Sequence, residues 1–155
     1  MNAPRRVLRA VEPTDMDGVA DLWVAAWKTT GLPIDFDARR AWLVAWLARL
    51  AREDAAILVG VDAEGRPTGL VTVDPKTGAV DQLCVAPDER GGGLARALID
   101  EAKRRSPDVV DLEVKVANPR ARRFYEREGF VGVGVGASAL SGLPTLHLRW
   151  RAQRG

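Results

Sequence analysis

The run Asp81 to Lys103, DQLCVAPDERGGGLARALIDEAK, joins an apolar extended stretch to a helical one through an arginine and three consecutive glycines. The apolar residues around Leu83 and Val85 stop at Pro87, and beyond the glycines Leu94, Ala97, Leu98 and Ala102, flanked by Ile99, recur on one helical face. Between the two lie Arg90, Gly91, Gly92 and Gly93. A main chain without Cβ atoms lets a ligand approach closely, and the first N–H groups of the helix, at Leu94, Ala95 and Arg96, direct a favourable dipole at the same spot. Phosphate-like anions fit such a junction, and Arg90 adds charge to it.

Spacing separates the families that use glycine-rich turns. No Gly-Lys-Ser/Thr follows, so the P-loop pattern is absent. Gly91-x-Gly93 opens a dinucleotide fingerprint, yet Arg96 stands where its third glycine belongs, which leaves a dinucleotide binder as a third-ranked reading. The pattern Arg/Gln-x-x-Gly-x-Gly/Ala is present as Arg90, Gly93 and Ala95, preceded by Leu83-x-Val85-x-Pro87. A second block follows a strand-like alternation over 110–116, where Asp111, Glu113 and Lys115 are the polar positions. Asn118 and Pro119 read as the cap and first position of a helix, and Gly129 as the left-handed residue that ends it. This block fits Asn-x-x-Ala-x-x-x-Tyr-x-x-x-Gly-Phe at Asn118, Ala121, Tyr125, Gly129 and Phe130.

On these two ordered motifs the chain resembles the GNAT superfamily of N-acetyltransferases. The resemblance implies an α/β (α+β) fold with a mixed, mostly antiparallel sheet of about six to seven strands, helices on both faces, and a parting between the strand before the glycine turn and the strand before Asn118. It implies acetyl-CoA as cosubstrate, with its pyrophosphate at Arg90 to Arg96 and its pantetheine arm along Cys84 and Val85 and beside Asn118. Tyr125 becomes the general acid that protonates the departing thiolate; a neutral phenol, with a reference pKa near 10, can donate to sulfur at neutral pH. Each residue also has a plainer reading. Asn118 can serve as a cap alone, Tyr125 can pack beside Phe124 and Ala121, and glycines 91 and 92 make a looser turn than the family's basic-rich one.

The acceptor side is read from the first half of the chain. Val7 to Val11 reads as a strand, and Thr14 with Asp17 as a capping box opening a helix with Met16, Val19, Ala20, Leu22, Trp23, Ala26 and Trp27 on its apolar face. A polar link from Thr29 to Asp37 leads to a second helix carrying Trp42, Leu43, Trp46, Leu47 and Leu50. Strands follow near 56–61, 69–73 and 79–85, with turns at Arg66-Pro67 and at 75–78, and the last strand over 144–150. Trp23, Trp27 and Trp46 are candidates to line an amine pocket, since an indole face shields an amine from water and attracts a cation; core packing is the competing reading.

An amine must lose a proton before it attacks a thioester. Asp81, upstream of the proposed cofactor strand, is the leading base, Asp74 is next, and His147 stays in contention. A solvated or arginine-paired Asp81 is the alternative. The expected reaction is direct attack in a ternary complex, with a main-chain N–H near Cys84 or Val85 polarising the carbonyl; ping-pong kinetics would point to Cys84 instead. A non-catalytic acetyl-CoA binding or sensing module on the same fold is the second function class. The acceptor itself, small molecule or polypeptide, is not specified by any motif.

Composition bounds the rest. The chain has 155 residues, enough for one catalytic domain over 1–155, and 46% hydrophobic and 28% charged residues. A formal net charge of +2 gives no argument for nucleic acid, and Arg120, Arg122, Arg123 and Arg127 read as a local basic patch or a solvated face paired with Glu126 and Glu128. One cysteine and one histidine exclude an internal disulfide and a multi-histidine metal site. With neither a signal-peptide core at the start nor a membrane-length apolar run, the expectation is a cytoplasmic protein without a membrane partner. The glycines at 129, 132, 134 and 136 make a strand after Phe130 weak in propensity, to be read as bent, mobile or part of a homodimer contact.

Overall fold

The computed structural model describes residues 7–153. Strand β1 (Val7–Ala10) leads through a short turn at 13–15 into helices α1 (Met16–Lys28) and α2 (Arg40–Arg52), followed by β2 (Ala56–Val61), β3 (Pro67–Val73) and β4 (Leu83–Val85). The second half runs α3 (Leu94–Arg105), β5 (Val109–Lys115), α4 (Pro119–Arg127), β6 (Val131–Ala137) and β7 (Pro144–Arg151). The strands form an antiparallel sheet in the order β1-β2-β3-β4 and a second in the order β5-β7-β6.

Alternation along β2 and β3 divides the core between two helical layers. Leu58, Val71 and Val73 face α3, where Leu98, Ile99 and Ala102 are fully buried, while Ile57, Val59 and Leu70 face α1 and α2 and meet Val19, Leu22, Leu43 and Leu47. Each such aliphatic side chain contributes roughly 1.5–3 kcal/mol by leaving water, so both helical layers are held by apolar burial.

Three local expectations are corrected. The capping box before α1 is made by Asp15, whose carboxylate accepts from the Glu12 N–H at 2.7 Å, and not by Thr14 with Asp17. Arg9 fixes that carboxylate with two hydrogen bonds of 2.7 and 2.9 Å and holds it below the usual carboxylate range, aided by the Glu12 N–H against the cost of burial. The turn between β2 and β3 is organised by Asp62, which accepts from the N–H groups of Glu64 and Arg66, so Pro67 begins the strand instead of the turn.

The stretch 79–85 is not one strand. The buried hydroxyl of Thr72 accepts from both Asp81 N and Gln82 N, at 3.2 and 3.0 Å, in place of a regular ladder. Above this irregularity Leu83 to Val85 pair with β3, and below it Ala79 forms a parallel bridge with Asp111 of β5. Val80 N donates to Asp111 O at 2.8 Å and Asp111 N to Gly78 O at 2.9 Å. This bridge joins the two sheets at one end, and beyond it β4 and β5 part. The parting is where the sequence placed it.

β6 is an edge strand with every residue exposed and a register shift between Gly132 and Gly134. Its weak propensity is thus expressed as a bulge at the rim of the second sheet. No helix among the described residues is long and apolar enough to cross a membrane.

Candidate active site

The parted strands open a cleft of about 620 Å³, within the range of small-molecule sites. Leu83, Cys84 and Val85 form one wall and Leu112 to Lys115 the other; the start of α3, α4 and Trp27 of α1 complete it. The register of β4 decides which main-chain groups face inward. Ala86 N donates to Thr68 O and Thr72 N to Gln82 O, so Cys84 is the next residue in hydrogen-bonding phase with β3. Leu83 and Val85 therefore turn their N–H and C=O groups toward β5. Of the two residues named from sequence, Val85 turns its N–H into the cleft, whereas that of Cys84 faces β3.

At the cleft mouth Gly91 and Gly93 have φ of 80° and 83°, the left-handed region that glycine adopts without strain. Gly93 is the N-cap of α3 and supplies no side-chain cap, which leaves the first N–H groups of that helix, at Leu94, Ala95 and Arg96, for another acceptor. A Cβ at Gly91 would meet nothing within 4 Å. Gly91, Gly93, Leu94, Ala95 and Arg96 line the cleft; Gly92 is exposed beside it and bonds back to Glu89 O. The Arg90 guanidinium turns toward the end of α1, donating to Ala26 O at 3.4 Å and to the Thr29 hydroxyl. Burial, with repulsion from Arg120, holds Arg90 below its ordinary range. Two neighbouring guanidinium groups beside open N–H groups suit a polyanion such as the pyrophosphate of acetyl-CoA.

On the inner wall Tyr125 is 7% exposed and packs edge-on between Phe124 and Phe130, at centroid distances of 5.1 and 5.4 Å. Its hydroxyl makes no hydrogen bond among the described residues, and burial, with a smaller contribution from Cys84, pushes its pKa above the ordinary phenol value. It is a neutral donor at pH 7. Helix α4 is fixed at both ends: Asn118 Oδ1 accepts from Ala121 N at 3.3 Å, and Lys103 Nζ donates to Glu128 O at 2.7 Å while lying 4.9 Å from the Trp150 ring. Asn118 thus caps the helix and lines the cleft. Glu128 pairs with Arg96 at 3.7 Å, and of the arginine patch Arg122 pairs with Glu126 at 3.2 Å.

Burial pushes the Cys84 thiol up to about 12. At pH 8 the thiol is then held protonated, which is unsuited to a nucleophile. We expect iodoacetamide at pH 8 to label Cys84 more than about 100-fold slower in the folded protein than in denaturant. Equal rates would contradict its buried placement.

On the acceptor side the candidates separate. Asp81 lines the cleft, and its Oδ2 accepts from Trp46 Nε1 at 2.5 Å and from Gln82 Nε2 at 3.0 Å. Trp46 stacks on Trp42 and so joins the cleft through Asp81, whereas Trp27 lines it directly. Trp23 is a core residue whose Nε1 donates to Gln82 Oε1 at 3.0 Å. Asp74 is committed to the 75–78 turn, where it accepts from Lys76 N, and His147 faces Asp111 at 3.6 Å; neither lines the cleft. Glu113 and Lys115 do line it. They alternate with buried Leu112 and Val114, a pattern legible as an exposed strand face but turned into a cleft wall only by the parting of β4 from β5.

A sheet parted beside a glycine turn, with an open helix N-terminus at the mouth, is the architecture of the GNAT acetyltransferases. The chain belongs to that family: the acetyltransferase (GNAT) family profile matches residues 16–130. It is 28% identical over 136 residues to an uncharacterized N-acetyltransferase of Methanocaldococcus jannaschii, covering 79% of this chain and 59% of that protein. It is 34% identical over 108 residues to the mycothiol acetyltransferase of Propionibacterium freudenreichii, covering 63% of this chain and 32% of that protein. The chain therefore spans between a third and three-fifths of the length of these relatives. The solution structure of apo YjaB from Escherichia coli superposes with a TM-score of 0.73 over 96% of this chain and 99% of that one, at 23% identity, a likeness of fold.

Proposed function

We propose that this protein transfers the acetyl group of acetyl-CoA to a primary amine by direct attack in a ternary complex. The observation that carries the proposal is the placement of a neutral Tyr125 hydroxyl, unbonded among the described residues, on the wall of a cleft whose opposite strand turns the main-chain N–H of Val85 inward. The N-acetyltransferase relatives support the same chemistry. Acetyl-CoA supplies an activated thioester. Gly91, Gly93 and the N–H groups of Leu94 to Arg96, with Arg90 and Arg120, would hold its phosphates, and Val85, Cys84 and Asn118 its arm.

The residues divide the reaction by charge. In the transfer an N–C bond forms and the C–S bond breaks; the amine gives up a proton and sulfur gains one. Val85 N–H lies on the side of β4 where it can stabilise the carbonyl oxygen, and Tyr125 donates its proton to sulfur. Asp81, directly or through water, takes the amine proton, with Oδ2 held by Trp46 and Gln82 and Oδ1 left for the acceptor. Trp27 shields the amine from bulk water.

Asp81→Asn is expected to lower kcat/KM for the amine by on the order of 100-fold and to change the pH–rate profile, with the KM for acetyl-CoA little altered. An unchanged profile would remove Asp81 from the mechanism and leave Glu89 and Glu113 as the carboxylates on the cleft. The two donors on Asp81 also suit a second reading, a non-catalytic acetyl-CoA binding or sensing module, in which this carboxylate only ties α2 to the sheet.

A further inference from the structure

The wall of the cleft formed by Trp27 and Lys115 presents a cation without a carboxylate partner among the described residues. Lys115 is half-buried, and its Nζ lies 4.7 Å from the centroid of the Trp27 ring. No carboxylate among the described residues reaches ion-pair distance of it, although Glu113 stands two positions away on the same strand face. Burial, then repulsion from Arg39, lowers the Lys115 pKa, with Glu113 acting weakly in the opposite sense.

We propose that the amine acceptor also carries a carboxylate, and that Lys115, over the Trp27 ring, receives it while Asp81 faces the amine. This rests on the acetyl-transfer reading above. A carboxylate oxygen accepts from the ammonium in a charge-assisted hydrogen bond. At the same cleft Asp81 supplies the opposite charge, so the site is polarised for a zwitterion such as a free amino acid or the terminal residue of a short peptide. A polyamine would place a second cation against Lys115 and is disfavoured by the same charge.

The test compares L-phenylalanine with L-phenylalaninamide and L-leucine with L-leucinamide, in wild type, Lys115→Gln and Lys115→Arg. Acetylation is measured by mass spectrometry, and binding by calorimetric titration in the presence of coenzyme A. The amide changes amine basicity as well as charge, but that effect is common to all three proteins, so the acid-to-amide ratio of kcat/KM is the readout. In Lys115→Gln the ratio should fall by on the order of 10- to 100-fold, through KM for the acid, and Lys115→Arg should recover most of it. Lys115-dependent binding of the acids without acetylated product would support the carboxylate site and remove the acetyl-transfer reading. Amides acetylated as well as acids in wild type, a ratio unchanged in Lys115→Gln, or no binding and no turnover of either member would each overturn the inference.

Discussion

Replacing Tyr125 with phenylalanine lowers kcat by on the order of 100-fold while leaving the KM for acetyl-CoA and the melting temperature close to those of the parent. The split follows from the geometry. The ring is held by Phe124 and Phe130 and by the fixed ends of α4, all of which phenylalanine preserves. The hydroxyl makes no hydrogen bond among the described residues, so removing it leaves none of their polar groups orphaned. On the proposed mechanism, only an interaction made as sulfur develops charge is lost. Steady-state kinetics with thermal melting checks this; a kcat within about threefold of the parent would reduce Tyr125 to a packing residue.

Gly78→Ala is expected to destabilise the fold by about 3 kcal/mol or more. Gly78 has φ of 80°, and an added Cβ would lie 2.1 Å from the Val109 carbonyl oxygen and 2.9 Å from Ser106 Oγ. The first neighbour is backbone and cannot swing aside. It belongs to the segment whose Asp111 N–H bonds to Gly78 O, so relieving the clash breaks the bridge between the sheets. The end of the cleft is set by that bridge, and activity should fall in whatever folded fraction survives. Denaturant titration measures the first effect. A loss below about 1 kcal/mol would mean that the sheets are not held together at this point.

The sequence was most readable where local chemistry and global fold demand the same residue. Asn118, Pro119 and Gly129 bound α4 as their capping roles require, with Gly129 at φ of 94°. The apolar face of α3 and the alternation of β5 were equally direct, because periodicity reports burial on one side of an element. What could not be read was any feature decided by a partner distant in the chain. The bulge at Asp81 depends on the hydroxyl of Thr72, which reads in sequence as an ordinary strand residue. Trp23 and Trp27 share one helical face and both pack on Phe36, yet Trp42 and Gln82 hold Trp23 in the core while Trp27 reaches the cleft. Lys115 looked like the solvent side of a strand until the parting of β4 from β5 made that side a wall. The glycine turn was legible as an anion site, but the direction of Arg90, toward Thr29 at the end of α1, depends on a helix some sixty positions earlier in the chain.

The most direct test of the account is acetyl-CoA turnover against pooled amines, comprising amino acids, polyamines, aminoglycosides and short peptides, with acetylated products identified by mass spectrometry. Mass detection is independent of thiol chemistry at Cys84. The account predicts a new N-acetylated product whose formation depends on Tyr125. A folded protein that binds acetyl-CoA and acetylates no amine in the pool would contradict it, and would favour the sensing module.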